Sequence, residues 1–351
     1  MFSNLSKINR KKLINLILIS LSIVIMFYIL FSSNDIFQIY EILKNIQIGY
    51  ILIAILSIFV FWLFESYMIY VLITKFTNKK KNLNTFWLAL KTTMFGQYYS
   101  NITPFASGGQ PVQLYLMKDE SIPISSGTAV LVTKFLLYQV GVTIYSLLLA
   151  IYRIKQLISY SSGVSIFVLT GLTLNILMIS TIILVAFKPK IIVKFTEFIL
   201  KFLYKYHIVK DIELIRLKIN NFISEYEISI GKLKEDIKLT LILFFITFLQ
   251  LTAFFSITYF IYKSLNLSGS NLLEVICLQS FLYMAVSFIP TPGTVGASEF
   301  GFMLLLGHVF PSNLIGTALI LWRGISYYFS LIFSGTFYLA ITLSKNKTLI
   351  N

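Results

Sequence analysis

The sequence predicts an all-α, polytopic integral membrane protein, and three observations carry that prediction. Of its 351 residues, 57% are apolar and 12% charged, with a mean hydropathy of +0.83, a balance foreign to soluble domains. The apolar residues gather in runs long enough to cross about 30 Å of hydrocarbon as helices. One pattern also occurs twice: Thr103-Pro104, Gly127-Thr128-Ala129, Lys134, Tyr138, and again Thr291-Pro292, Gly316-Thr317-Ala318, Arg323, Tyr327. Thr-Pro precedes the triplet by 24 residues in one copy and 25 in the other, and the cation and tyrosine keep identical offsets from it.

Six runs qualify as spans: 13–31, 50–73, 125–151, 163–187, 239–262 and 314–343. The first is too long for a signal peptide and no small-residue cleavage site follows, so it is expected to be an anchor. Lys and Arg favour cytoplasmic loops. With a cytoplasmic N-terminus, Lys7, Arg10, Lys11, Lys12, the 75–81 loop, the 188–238 segment and Lys345/Lys347 all fall inside, leaving Lys44, Arg153, Lys155 and Lys263 outside. Both termini are then cytoplasmic. The formal charge of +15 faces anionic lipid, which makes a nucleic-acid partner unnecessary.

Two further apolar regions, 85–117 and 271–310, are broken centrally by Pro and Gly. Proline removes a helical donor and glycine permits reversal, so each reads as a re-entrant helical hairpin. Such backbone is tolerated at membrane depth only where protein or water shields it. Six spans place the hairpins in opposite orientations, an inverted repeat of the kind that sets a substrate site near the bilayer midplane. The chain is then one membrane domain: a first half, 1–187, a cytoplasmic connector, 188–238, and a second half, 239–351.

Lys134 and Arg323 fall about 13 Å into their spans, too deep to snorkel with ease. Intramembrane cations point to function by default. The bland alternative is an internal ion pair, for instance with Glu65, that merely joins helices. Arginine offers a forked donor to phosphate oxygens and lysine a point charge. At the breaks, Gly108, Gly109 and Gln110 correspond approximately to Gly296 and Glu299, with Gly293 also in the second break, and exposed amides beside new helix N-termini suit an anion. Glycines that only permit the turn explain the same residues. Glu65 and Glu299 are the carboxylates expected at depth, with receiving a cationic group, neutralising Lys134 and Arg323, or relaying protons all open. Asn101, Gln97 and Tyr98 read as polar lining or as helix-packing residues, and Tyr138 and Tyr327 complete the candidate substrate-binding set.

The segments GQYYSNITPFASGGQPVQLY (96–115) and PTPGTVGASEF (290–300), with Trp322-Arg323, resemble the lysylphosphatidylglycerol synthase transmembrane-region family, the flippase-like domain of the multiple peptide resistance factor. The similarity covers essentially the whole chain. It implies translocation of an aminoacylated or other phospholipid from inner to outer leaflet, which lowers the surface charge that attracts cationic antimicrobial peptides. Relatives carry a soluble aminoacyl-transferase domain after the membrane region. This sequence ends at Asn351, shortly after its last span, so that domain and its catalytic residues are expected to be absent.

Other chemistry is sparse. Cys277 is the single cysteine and His207 and His308 are the two histidines, so neither an intrachain disulfide nor a zinc site is expected. No phosphate-binding Gly-rich Lys-Ser/Thr loop or serine elbow occurs, and no cofactor is expected. In the connector, residues 190–206 read as a basic amphipathic helix on anionic lipid. A second stripe, Ile212, Ile215, Ile219, Phe222, Ile223, Tyr226 and Ile230, suits packing on that helix or on a partner. Three functions remain: a lipid translocase, for an aminoacyl phospholipid or a polyprenyl-phosphate or glycolipid; a lipid-modifying enzyme; and a scaffold for a separate synthase. Homo-oligomers are compatible with each.

Overall fold

The computed structural model describes residues 41–42, 44–77, 79–153, 162–187, 212–287, 289 and 291–348. The expected anchor at 13–31, the basic helix at 190–206 and the side chains of Lys345 and Lys347 lie outside the described residues. The rest is helical, with no strand among the described residues.

α1 (Ile48–Phe76) leads to the first hairpin, α2 (Leu83–Ile102) and α3 (Gly109–Asp119), joined by a 3-10 turn at Pro104–Ala106. Next come α4 (Ile124–Tyr152), α5 (Ser162–Phe187), α6 (Ile212–Lys234) and α7 (Ile237–Ser264). The second hairpin pairs α8 (Leu272–Val286) with α9 (Ala297–Leu306) through a 3-10 turn at Pro292–Thr294. Finally α10 (Ile315–Arg323) passes through a π-helical turn, Gly324–Phe329, into α11 (Ser330–Thr348). Among the described residues, α1, α4, α7 and the rod Ile315–Ser344 are long and apolar enough to cross a membrane. α5 forms over the fourth expected span and carries an apolar stretch at Val168–Thr181.

α1 and α7 pack side by side and run antiparallel. The Gln47 N–H before α1 donates to Ser264 O at the end of α7 (2.9 Å). At the other end, Lys75 Nζ in the last turn of α1 reaches Asp236 Oδ2 before α7 (2.6 Å). α2 follows α1 and α8 follows α7, so the hairpins enter from opposite ends, and their 3-10 tips meet. Aromatic and aliphatic packing surrounds them, with Trp62, Phe255, Phe281, Phe302 and Phe310 fully buried. Phe302 stacks on Trp322 (5.1 Å between centroids).

Each hairpin starts the same way. Asn82 Oδ1 accepts from the Thr85 N–H and Asn271 Oδ1 from the Glu274 N–H, both at 2.9 Å, satisfying donors that a helix start leaves free. The two Asn-Leu pairs stand 189 residues apart, as do Lys134 and Arg323, so the repeat extends upstream of the Thr-Pro motif. The tips match as well. The Ala106 N–H donates to Thr103 O (3.2 Å) and the Thr294 N–H to Thr291 O (3.0 Å). The residue after each Thr-Pro is left-handed, Phe105 at φ 55° and Gly293 at φ 60°.

The amphipathic stripe on α6 packs on the transmembrane body itself, against α1, α4 and α7. Ile223 and Tyr226 are buried there, and burial pushes the Tyr226 phenol up to about 12. Ser125 Oγ donates to Glu225. A stripe shows that a helix has an apolar face; which surface covers it depends on where the spans end.

Candidate functional site

Both intramembrane cations are ion-paired with the two carboxylates expected at depth, by different constructions. In the second repeat, Arg323 ends α10 and Glu299 stands in the first turn of α9. Arg323 Nε donates to Glu299 Oε1 (2.7 Å), with Nη2 2.7 Å from the same oxygen, and Nη1 donates to Gly293 O (2.9 Å). The Gly296 N–H donates to Glu299 Oε2 (2.6 Å); the glycine takes φ +87°, which L side chains adopt poorly. The guanidinium lies 5.2 Å from the Trp322 ring and 5.4 Å from that of Tyr327. Side-chain exposure is 4% for Arg323 and 2% for Glu299. Each carboxylate oxygen is engaged and the pair is sealed, fastening the second tip to α10.

In the first repeat, Lys134 Nζ in α4 donates to Glu65 Oε1 of α1 (2.6 Å) and approaches Gln113 Oε1 of α3 (3.5 Å). The carboxylate therefore comes from a neighbouring span, and the hairpin supplies a neutral amide. Gln113 is buried and its Nε2 donates to Thr92 O (3.1 Å). It passes over Gly96, where an added Cβ would stand 2.1 Å from Nε2, so glycine there is what lets the amide reach Lys134. Lys134 keeps 15% exposure and Glu65 13%, several times that of the second pair.

The tips differ in the same sense. Phe105, Ala106, Ser107 and Gln110 are exposed on the first, whereas Pro292, Val295, Ser298 and Glu299 are buried on the second. Within hydrocarbon, exposed Ser107 and Gln110 demand a water-lined or protein-lined space.

The remaining sequence-named residues serve the hairpins. The Gly108 N–H donates to Thr103 Oγ1 (2.9 Å). Gly109 is buried where a Cβ would stand 2.8 Å from Gly96 O, so the hairpin arms touch through backbone. A Cβ on Gly293 would lie 2.2 Å from Tyr327 Cε2. Asn101 Nδ2 donates to Ser330 Oγ (3.2 Å), and the Asn101 carbonyl accepts from Tyr327 OH (3.1 Å). Tyr138 OH donates to Tyr283 OH (2.9 Å). Gln97 is half-buried, and Tyr98 stacks on Tyr338 (5.4 Å).

Sequence reasoning missed Gln113, Tyr283 and the two asparagine caps. Gln113 lies one helical turn beyond Gln110, which remains exposed; starting the helix at Gly109 selects which glutamine faces inward. Among the described residues no cluster of three or more His, Cys, Asp or Glu is arranged to hold a metal ion.

Comparison with known proteins places this architecture. The family model described as "Lysylphosphatidylglycerol synthase TM region" matches residues 14–334. A "UPF0104 membrane protein" of Archaeoglobus fulgidus is 24% identical over 269 residues, covering 76% of this chain and 80% of that protein.

Proposed function

The chain belongs to the lysylphosphatidylglycerol synthase transmembrane-region family, and from that premise we propose that it moves a phospholipid between the leaflets of the bacterial cytoplasmic membrane, from inner to outer. The observation that carries this reading is the partly exposed Lys134–Glu65 pair beside the exposed tip of the first hairpin. A headgroup phosphate takes the place of the Glu65 carboxylate on Lys134, with the Gln113 amide alongside, and Glu65 receives an ammonium where the headgroup carries one. For a headgroup that carries an ammonium the exchange replaces one ion pair with two, so no uncompensated charge is created at membrane depth; a headgroup without one leaves Glu65 to water or a proton. The sealed Arg323–Glu299 pair keeps the second tip fastened to α10 while this happens.

On this reading the protein is a transporter, not an enzyme, and acts on anionic or aminoacyl phospholipid made elsewhere. Its termini are cytoplasmic, and export of a cationic lipid blunts cationic antimicrobial peptides. Purified protein in liposomes, with labelled lysylphosphatidylglycerol, phosphatidylglycerol or a polyprenyl phosphate in separate preparations, tests it. At least one label should equilibrate between leaflets, Lys134→Ala should abolish that movement, and Lys134→Arg should retain part of it. Failure to move any of the three removes the transport reading. Co-purification of a lipid synthase without lipid movement would favour a scaffold, and lysyl-lipid formed from lysyl-tRNA and phosphatidylglycerol would make the protein an enzyme.

A further inference from the structure

Tyr138 and Tyr327 each stand four residues after the cation of their repeat, on the same helical face one turn on. Neither hydroxyl bonds its own hairpin. Tyr138, on α4 of the first repeat, donates its hydroxyl to Tyr283 on α8, the first arm of the second hairpin (2.9 Å). Tyr327, in the second repeat, donates to the carbonyl of Asn101 near the end of α2, the first arm of the first hairpin (3.1 Å). The cations do the opposite: Lys134 approaches Gln113 and Arg323 grips Glu299, each on the second arm of its own hairpin. Every hairpin is thus held on one arm by the cation of its own repeat and on the other by the tyrosine of its partner repeat.

The π-helical turn Gly324–Phe329 fits this arrangement. It begins directly after Arg323 and contains Tyr327, and its wider winding re-aims Tyr327 relative to an α-helical turn. Tyr138, on unbroken α4, needs no such adjustment to meet a side-chain hydroxyl. The Tyr327 ring also packs close on Gly293 at the second tip, where a Cβ would stand 2.2 Å from Cε2, so one residue meets the end of the first hairpin's α2 and the tip of the second. Ser330, immediately after the π turn, accepts from Asn101 Nδ2 and doubles the grip on α2.

We propose that Tyr138 and Tyr327 are reciprocal positioning residues: each holds the first arm of the opposite repeat's hairpin, keeping the two tips together beside the ion pairs, and the tips part only when these hydrogen bonds open. Coupling then runs both ways, since whatever displaces one cation shifts the tyrosine one turn below it and the other repeat's hairpin.

The test needs no lipid and therefore stands or falls separately from the transport reading. In a Cys277→Ser background, a single Ser298→Cys reports on the buried second tip and a single Ser66→Cys on a buried site in α1; both serines are 1% exposed or less. Tyr138→Phe and Tyr327→Phe remove only a hydroxyl and keep the ring packing. Each should speed reaction of a small water-soluble thiol reagent at position 298 about fivefold, the effect of one lost hydrogen bond on a local opening, and leave position 66 unchanged. Tyr283→Phe should reproduce Tyr138→Phe, and the pair combined should add nothing. Unchanged reaction at 298, an equal rise at 66, or additivity of Tyr138→Phe and Tyr283→Phe overturns the proposal.

Discussion

The two repeats build the same element, a cation one helix away from a carboxylate at membrane depth, and finish it differently. In the second, Glu299 belongs to the hairpin it stabilises, both its oxygens are engaged, and Arg323 adds a bond to the tip carbonyl of Gly293. In the first, Glu65 belongs to a different span, the hairpin offers an amide, and the pair is partly exposed. Repetition supplies two equivalent positions; divergence leaves one pair sealed and the other partly exposed, as the exchange proposed for Lys134 requires. The least expensive way to keep a buried pair is never to open it, so the sealed pair is the fastening.

The largest effect follows from removing one partner. Arg323→Ala strands the Glu299 carboxylate in a site with 2% exposure and should cost about 3–5 kcal/mol, the usual result of orphaning a buried charge. Arg323→Lys recovers part of this, since an ammonium cannot span Glu299 and the Gly293 carbonyl with a fork. Lys134→Ala leaves Glu65 within reach of water and should cost about 1–3 kcal/mol while removing transport. Thermal unfolding in detergent measures all three. Equal losses for Arg323→Ala and Lys134→Ala would erase the distinction between the pairs.

The tips give the next contrast. Gly293→Ala places a Cβ 2.2 Å from the Tyr327 ring at φ +60°, so it must distort the ring or the turn and should cost about 1–3 kcal/mol. Its counterpart Phe105 holds nearly the same backbone, and the residue is 60% exposed. Phe105→Gly relieves about 1 kcal/mol of left-handed strain, offset by a similar loss of unfolded-chain restriction, and should leave the melting temperature nearly unchanged. A large loss for Phe105→Gly would mean that the aromatic ring itself holds the open tip.

Smaller still are the hairpin starts. Asn82→Ala and Asn271→Ala each remove a cap contributing about 1 kcal/mol. Each Oδ1 accepts a second bond, Asn82 from Thr85 Oγ1 in the same turn and Asn271 from Arg153 Nη2 of another element, both at 3.0 Å; Asn271 should cost more, because its second bond is charge-assisted and ties α4 to the second hairpin. Equal losses in thermal unfolding would show that this extra contact carries no stability.

Much of this architecture was legible in the sequence for simple reasons. The runs at 50–73, 125–151 and 239–262 lie inside the observed helices α1, α4 and α7, and 314–343 coincides with Ile315–Ser344 to within one residue at each end, because hydrocarbon thickness dictates run length. Thr-Pro followed by glycines marked both hairpin tips, because proline and glycine act through local backbone geometry. Lys134, Arg323, Glu65 and Glu299 stood out because charge is rare at depth. What escaped depended on angle. Gln113 replaced Gln110 beside Lys134 because helix phase after the Gly108-Gly109 break decides which glutamine turns inward. The π turn after Arg323 has no compositional mark, yet it aims Tyr327. The unequal exposure of two ion pairs whose cations hold matched repeat positions is a property of closure, which no local pattern encodes.

A pair at the edge of the molecule completes the comparison. Lys75–Asp236 joins the end of α1 to the start of α7, one helix from each half, with side-chain exposures of 31% and 36%. Asp236 also caps α7, its Oδ1 accepting from the Leu239 N–H (3.0 Å). The Lys75 hydrogen bond, followed by that backbone bond, holds the Asp236 carboxyl below its ordinary value of 3.8. A carboxyl depressed by folding contributes stability that is complete above that ordinary value and is lost as pH falls through the lower folded value. Asp236→Asn keeps a good cap and removes only the charge. Wild type should therefore melt slightly above the variant at neutral pH and low salt, and the gap should close both in high salt, because exposed pairs are screened, and on acidification below 3.8. The Arg323–Glu299 pair, shielded from solvent ions, should show no comparable salt dependence in the Arg323→Lys variant. A gap at Asp236 that survived high salt would mean that the edge pair, too, is part of the sealed framework.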